Sequence, residues 1–97
     1  MANPMKGEVS FVHPADGATY KLVFSINALV TLEETLGIAT TEIGELLNDK
    51  MKITDLRTLF WAGLIDNHDV TPEGAGLLMD GQGVAGAAQL IAKALAA

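Results

Sequence analysis

The chain has 97 residues, no cysteine and an apolar fraction of 49%, which predicts one compact domain with a packed core and argues against disorder. The lack of cysteine and of an amino-terminal apolar signal core favours a cytoplasmic protein. No stretch reaches the roughly 18 apolar residues of a spanning helix, so no membrane partner is expected. Twelve Asp and Glu against six Lys and Arg give a net charge of −6, which argues against nucleic acid as a partner.

The first part of the chain has the pattern of two strands. Residues 7–13 alternate, with Val9 and Phe11 on one face, and a second strand-like run follows at 19–24. Between them, Pro14 presets φ and Gly17 accepts a positive φ, so this segment predicts a turn. The sequence therefore predicts an antiparallel hairpin over about 7–24. Since an isolated hairpin is marginal in water, we expect it to pack on helices.

The next 25 residues predict two helices. Apolar residues recur at helical spacing over 26–36, where Ser25 or Asn27 can cap the start and Gly37 can end the helix. A shorter helix is predicted over 41–47, with acidic residues near its positive end. Residues 25–50 contain five acids and one base, and this excess supplies four of the six net negative charges.

The remaining residues, to 97, predict up to three more helices. One begins at a Thr54 cap and carries the expected core residues Leu56, Leu59 and Phe60. Thr71 followed by proline opens another, which is expected to end near Gly81, and the alanine-rich segment 84–97 forms the last. The prediction is an α+β fold, with an N-terminal two-stranded antiparallel β-hairpin packed on a bundle of four to five short helices, in a single domain over 1–97.

Residues 81–86 match the G-x-G-x-x-G fingerprint of dinucleotide-binding loops. That loop needs a strand before it and a βαβ unit around it, whereas here a helix is predicted before it and few residues follow. A glycine connector is the favoured interpretation, with Gly81 ending one helix and Gly86 letting the next approach its neighbour closely.

Other chemistry-bearing residues also have structural explanations. Asp66, His68 and Asp69 could hold a divalent metal, but their position between two predicted helices favours a surface turn. Adjacent Glu33 and Glu34 point about 100° apart on a helix and cannot act as a carboxylate pair. The sequence therefore predicts no enzyme, catalytic residue, metal site, cofactor or small-molecule substrate.

The apolar residues of the later helices are the candidate protein-binding surface. The last helix, at 84–97, has Lys93 as its only charge, and two interpretations remain open. Either this helix packs against the third helix and the hairpin inside one monomer, or part of it stays uncovered as a surface for another chain. The residues predicted to line a groove for a client helix are Trp61, Ile65, Leu90, Ile91 and Leu95.

Four segments of the chain carry a further signal: Asn3-Pro4…Lys6-Gly7-Glu8-Val9, Ser25-Ile26-Asn27-Ala28-Leu29, Asp55-Leu56…Leu59…Ala62-Gly63-Leu64 and His68-Asp69-Val70-Thr71-Pro72-Glu73. Together they resemble the tail assembly chaperone-like proteins of gene transfer agents and related long-tailed phages. The resemblance implies a tail assembly chaperone of a gene transfer agent or prophage, which binds the tape-measure protein in the bacterial cytoplasm and is absent from the finished particle. The alternative is a minor structural, tube-associated tail protein retained in the particle. Expected partners are the tape-measure protein or other tail proteins, together with further copies of the chain.

Overall fold

The computed structural model describes residues 8–14, 16–39, 42–43 and 52–96. In these ranges the chain forms strands β1 (Glu8–Val12) and β2 (Thr19–Val23), followed by helices α1 (Ile26–Leu36), α2 (Ile53–Leu64) and α3 (Pro72–Ala96). The architecture is α+β, as predicted. No helix within the described ranges has the combination of length and hydropathy that crossing a bilayer requires.

The two strands form the predicted antiparallel hairpin. Val9 lies opposite Leu22, and Phe11 lies opposite Tyr20. The turn is closed by the His13 amide, which donates to the Ala18 carbonyl at 2.9 Å, and Gly17 has a φ of 70°. Because alternate residues face the same side of a strand, the buried Phe11 and Leu22 side chains reach the core.

Helix α1 begins and ends where the sequence indicates. The Ser25 Oγ accepts a hydrogen bond from the Ala28 amide at 3.2 Å, so Ser25 is the cap, as one of the two predictions had it. At the other end Gly37 has a φ of 69° and its amide donates to the Glu33 carbonyl. The predicted helix over 41–47 lies outside the described residues apart from Glu42 and Ile43, which are helical.

Helix α2 starts earlier than predicted. Its cap residue is Lys52, which makes no side-chain capping bond, so the prediction of a Thr54 cap is wrong. Thr54 already lies in the first turn, where its carbonyl accepts a hydrogen bond from the Thr58 hydroxyl at 2.9 Å. The expected core residues of this helix, Leu56, Leu59 and Phe60, are all buried, which confirms that part of the prediction.

The number of helices is smaller than predicted, mainly because of helix α3. The described residues contain three helices rather than four to five, because the helix predicted over 41–47 lies mostly outside them and the two predicted at the end of the chain run together as one 25-residue element with a break at Gly83. Its start is as predicted, with the Thr71 Oγ1 accepting from the Gly74 amide at 3.0 Å. Gly81 is helical, and only Gly83 (φ 77°, ψ 159°) leaves the helical conformation. Glycine permits a helix break but does not require one, so the glycines of this segment do not by themselves show where the break lies.

The core lies where α2 is surrounded by its neighbours. Helix α2 packs against α1, α3 and β2, and α3 also contacts both strands. The tightest approach is at Gly63, where an added Cβ would lie 2.8 Å from Leu22 Cδ2 and 3.2 Å from Phe24 Cζ. Gly86, for which close packing was expected, meets only Gln82 of its own helix, so that expectation is wrong. In the part of the chain that the structure describes, the largest fully buried side chains are Leu22, Leu32, Ile43, Leu56, Leu59, Phe60, Leu64 and Ile91.

Candidate functional site

The predicted binding residues contribute mainly to packing within the chain. Ile91 is fully buried, so it has no surface to offer a partner while the fold is intact. The buried stripe of the last segment runs through Ala87, Ile91 and Ala94, whereas Val84 is exposed. Of the two interpretations of this segment, packing inside the monomer applies to its Ile91 side.

The other four predicted residues are half-buried. Trp61, Leu90 and Leu95 pack against the core, and Ile65 is the residue that ends α2. The indole Nε1 of Trp61 donates to the Val70 carbonyl at 3.0 Å, so its polar group is already used inside the protein. Contact of these four residues with another protein stays a prediction.

The large apolar side chains that are exposed form a different set. None of them belongs to the predicted group, and three of them lie close together between α2 and α3. Among the described residues this set is Val12, Ile26, Val30, Ile53, Leu77 and Val84. Exposed apolar side chains that cluster mark interaction sites more often than scattered ones do.

Ile53, Leu77 and Val84 line an open groove between the start of α2 and the kinked region of α3, with a cavity volume of about 450 Å³. Their exposed fractions are 64%, 69% and 56%, so the groove is apolar and accessible. The non-helical Gly83 forms part of its wall. We call this feature the α2–α3 groove.

Arg57 supplies the positive charge of the α2–α3 groove. Its aliphatic stem lies against Gly76, where an added Cβ would be 3.2 Å from Arg57 Cδ. The Arg57 Nε is buried and has no hydrogen-bond partner among the residues that the structure describes. Glu73 and Asp80 also line the groove, yet neither accepts from this nitrogen. A buried donor without an acceptor costs free energy, so the packing of Arg57 against Gly76 carries a local penalty.

A second exposed surface lies on α1. Ile26 is 76% exposed and Val30 45%, and they are separated by one helical turn. Glu34 continues the same line at the next turn and is exposed as well. We call Ile26, Val30 and Glu34 the α1 ridge. It lies within the acidic region that the charge pattern identified.

The Asp66 and His68 segment is a structural turn, as the sequence favoured. Asp66 accepts a hydrogen bond from the Ser25 hydroxyl, which ties the turn to the start of α1. His68 Nε2 accepts from the Lys21 amide at 3.0 Å, and its ring lies 5.0 Å from that of Tyr20. Within the described ranges, no group of three or more acidic, His or Cys residues is arranged to hold a metal ion.

Both outer edges of the hairpin meet side chains. The Lys21 amide on the free edge of β2 donates to His68, and on β1 the Val12 carbonyl accepts from Gln82 Nε2 at 2.9 Å. A side chain that occupies an edge hinders the addition of another strand. The α2–α3 groove and the α1 ridge are therefore better candidates for protein contact than the sheet.

Sequence reasoning missed the groove for a specific reason. Periodicity places Val84 on the same helix face as Ala87 and Ile91, yet Val84 stands next to the kink at Gly83 and is exposed, so no neighbouring element covers this end of the face. One available signal was the low charge of residues 74–88, where Asp80 is the only ionised side chain. That composition is unusual for a helix with a fully solvated face.

Comparison with known families decides which group of proteins this fold belongs to. Residues 6–97 match the family described as "Phage tail tube protein, GTA-gp10". The chain belongs to this family. The match confirms the resemblance to tail proteins of gene transfer agents, and it covers both the groove and the ridge. No curated protein and no solved structure shows a significant match.

Proposed function

We propose that this chain is a structural, non-enzymatic protein of a phage-like tail, associated with the tube and retained in the particle of a gene transfer agent or prophage. The observation that carries the proposal is the match of residues 6–97 to the tail tube family. The chain is made in the bacterial cytoplasm, and its partners are other tail proteins and further copies of itself.

The distribution of apolar surface supports this role. A subunit of an assembly needs surfaces that are exposed in the free chain and covered in the particle, and these surfaces are apolar at their centres. The α2–α3 groove and the α1 ridge have this character, with Leu77 and Ile26 among the most exposed apolar side chains. The titratable residues of the Asp66–His68 turn, by contrast, already serve internal hydrogen bonds.

A tail assembly chaperone that binds the tape-measure protein is the second candidate. The observation that favours it is the open groove itself, since a client helix could lay an apolar face against Ile53, Leu77 and Val84. The family description fits a structural role better, because it names a component of the tail tube.

Quantitative mass spectrometry of purified particles separates the two candidates. A retained tail protein is expected at a fixed ratio to the major tail subunits after stringent purification. Absence from particles, together with co-purification of the tape-measure protein from lysates, would overturn the structural proposal and favour the chaperone.

A matched pair of variants connects the groove to this role. Leu77→Ser removes an exposed groove side chain, and Gln89→Ser changes an exposed position of the same helix outside the groove lining. In a strain that lacks the natural gene, we expect Leu77→Ser to lower the amount of protein in particles while Gln89→Ser leaves it unchanged. Equal incorporation of both variants would show that the groove makes no contact needed for retention.

A further inference from the structure

We propose that His68 is a pH-sensitive latch: its neutral imidazole holds the connection between α2 and α3 against strand β2, and its protonation releases that connection. The contact that carries the proposal is the hydrogen bond of 3.0 Å from the Lys21 amide to His68 Nε2, which joins residues 47 positions apart in the chain. The latch is a property of the folded chain and is separate from the proposed tail role.

The bond from the Lys21 amide requires an uncharged ring. A neutral imidazole has one nitrogen that accepts and one that carries a proton, so with Nε2 accepting, the proton of His68 lies on Nδ1. A protonated imidazole carries a hydrogen on both nitrogens and accepts no bond. The two N–H groups would then point at each other, so the contact must open. Histidine is the side chain that ordinarily takes up a proton between pH 5 and 8.

Three hairpin residues affect the charge near His68. The Tyr20 ring lies 5.0 Å from that of His68, and its pKa is raised above the ordinary 10.0, chiefly by desolvation, so its hydroxyl stays neutral. Lys21 presents its amide, while its ammonium lies 3.8 Å from the Glu8 carboxylate. His13 lies beside Tyr20, with ring centroids 6.4 Å apart, and is the other imidazole of the chain. A response between pH 5 and 8 therefore has two candidate sources, and His13 supplies the control.

Carboxylates near His68 attract its ring once it is protonated. Asp66 and Asp69 lie within two residues of His68, and both are exposed. A third carboxylate, that of Asp16, accepts a hydrogen bond from the Tyr20 hydroxyl at 3.1 Å. Because opposite charges attract, we expect the imidazolium to turn from β2 toward the carboxylates of its own turn. Proton uptake therefore rearranges a turn and does not require the domain to unfold.

The latch acts on a turn that is also tied to two helices. Asp66 accepts from the Ser25 hydroxyl at the start of α1, and the Val70 carbonyl accepts from Trp61 Nε1 of α2 at 3.0 Å. Neither of these bonds uses an imidazole. Release of His68 therefore detaches the turn from the hairpin while the bonds to the helices remain, and one amide of the β2 edge loses its acceptor. Since a side chain at this edge hinders strand addition, its release makes the edge available to another strand.

Nuclear magnetic resonance of the wild-type chain tests the latch directly. At about pH 8, a scalar coupling across the hydrogen bond should join the Lys21 amide nitrogen to His68 Nε2. At about pH 5, the coupling should vanish, and the hydrogen-exchange protection of the Lys21 amide should fall at least about tenfold, because this amide then meets water. The proposal is overturned by absence of the coupling at the higher pH, by protection that persists once the ring is protonated, or by a ring that stays neutral at the lower pH.

His68→Gln, with His13→Gln as its matched control, identifies the titrating group. The introduced amide oxygen can accept from the Lys21 amide but does not titrate, so protection of that amide in His68→Gln should be the same at both pH values. His13→Gln removes the other imidazole and should keep the wild-type response. The reverse pattern would assign the response to His13 and overturn the latch. If His68→Gln does not fold, the wild-type measurements decide.

Circular dichroism and fluorescence distinguish release of the turn from unfolding. The helical signal should be the same at both pH values, because the helices are not part of the latch. Trp61 is the only tryptophan of the sequence, and its emission should stay constant, since the indole keeps its bond to Val70. A loss of helical signal together with a red-shifted emission over the same range would indicate general unfolding and would overturn the proposal.

Discussion

The two sides of helix α2 differ in how closely they are packed. On the side facing the hairpin, Gly63 lets Leu22 and Phe24 approach so closely that an added Cβ would lie within 3.2 Å of either side chain. On the side of the α2–α3 groove, Ile53 stays exposed and an open space remains. Complete burial on one side gives stability, and incomplete burial on the other leaves apolar surface for a partner. The same helix can therefore serve the fold and an assembly together.

The largest expected difference between the two sides concerns Phe60. Its ring is fully buried and lies 5.4 Å from that of Phe11 in the hairpin. Phe60→Ala should lower the free energy of unfolding by about 3–5 kcal/mol, because the lost burial and the cavity left behind add together. The control is Leu77→Ala on the groove side, which should change it by no more than about 0.5 kcal/mol. Urea denaturation measures both, and similar losses would erase the distinction between the two sides.

A pair of glycine substitutions tests the close approach on the hairpin side. Gly63→Ala should destabilise the protein, because overpacking costs about 1–3 kcal/mol and outweighs a gain in helix propensity of about 1 kcal/mol. Gly86→Ala makes the same change where the nearest atom, Gln82 Cβ, is 3.6 Å away. It should therefore be stabilising by up to about 1 kcal/mol. Thermal unfolding of both variants gives the sign, and stabilisation by Gly63→Ala would mean that Leu22 moves aside at little cost.

The kink beside the groove is expected to depend on Gly83. With φ at 77° and ψ at 159°, this residue occupies a region that side chains strongly disfavour. Gly83→Ala should cost about 1–3 kcal/mol if the kink is retained. Unfolding by urea measures the loss, with Gly86→Ala as the reference for helix propensity. A stabilised Gly83→Ala protein would show instead that the helix straightens, and the exposure of Val84 should then decrease.

The smallest expected effect lies at the tip of the hairpin. The pKa of Asp16 is held below its ordinary value of 3.8, chiefly because its carboxylate accepts a hydrogen bond from the Ala18 amide, with a further contribution from the Tyr20 hydroxyl. The stabilisation it contributes is therefore present above pH 3.8 and lost as the pH falls below that value. Asp16→Asn should lose less stability than wild type over this acidic range, because its amide oxygen still accepts without titrating. Urea denaturation at several pH values on either side of 3.8 measures the stability of both proteins. If stability falls equally with pH in Asp16→Asn and in wild type, the assignment is contradicted.

The elements that sequence reasoning located well have strong local causes. The hairpin follows from alternation and from Gly17 in the turn, and α1 follows from Ser25 at its start and Gly37 at its end. The cap formed by Thr71 was predictable for the same reason. In each case the deciding contact joins residues close in sequence.

The candidate site was harder to predict because it depends on contacts between distant segments. Trp61 and Leu90 could face either a partner or the core, and the structure places both against the core. The exposure of Leu77 and Val84 depends on which side of α3 the hairpin and α2 cover. Periodicity gives the faces of a helix but not the neighbours that each face meets.

The sequence by itself determined the α+β class, the hairpin, the starts of α1 and α3, and the acidic character of α1. These features depend on local backbone preference, side-chain alternation and charge, which act over a few residues. Only the tertiary structure decided that the last two predicted helices are one kinked element, that Gly63 rather than Gly86 is the point of close packing, and that Ile91 is buried while Leu77 is exposed. The physical reason is that burial is a property of two surfaces meeting, and a single segment carries only one of them.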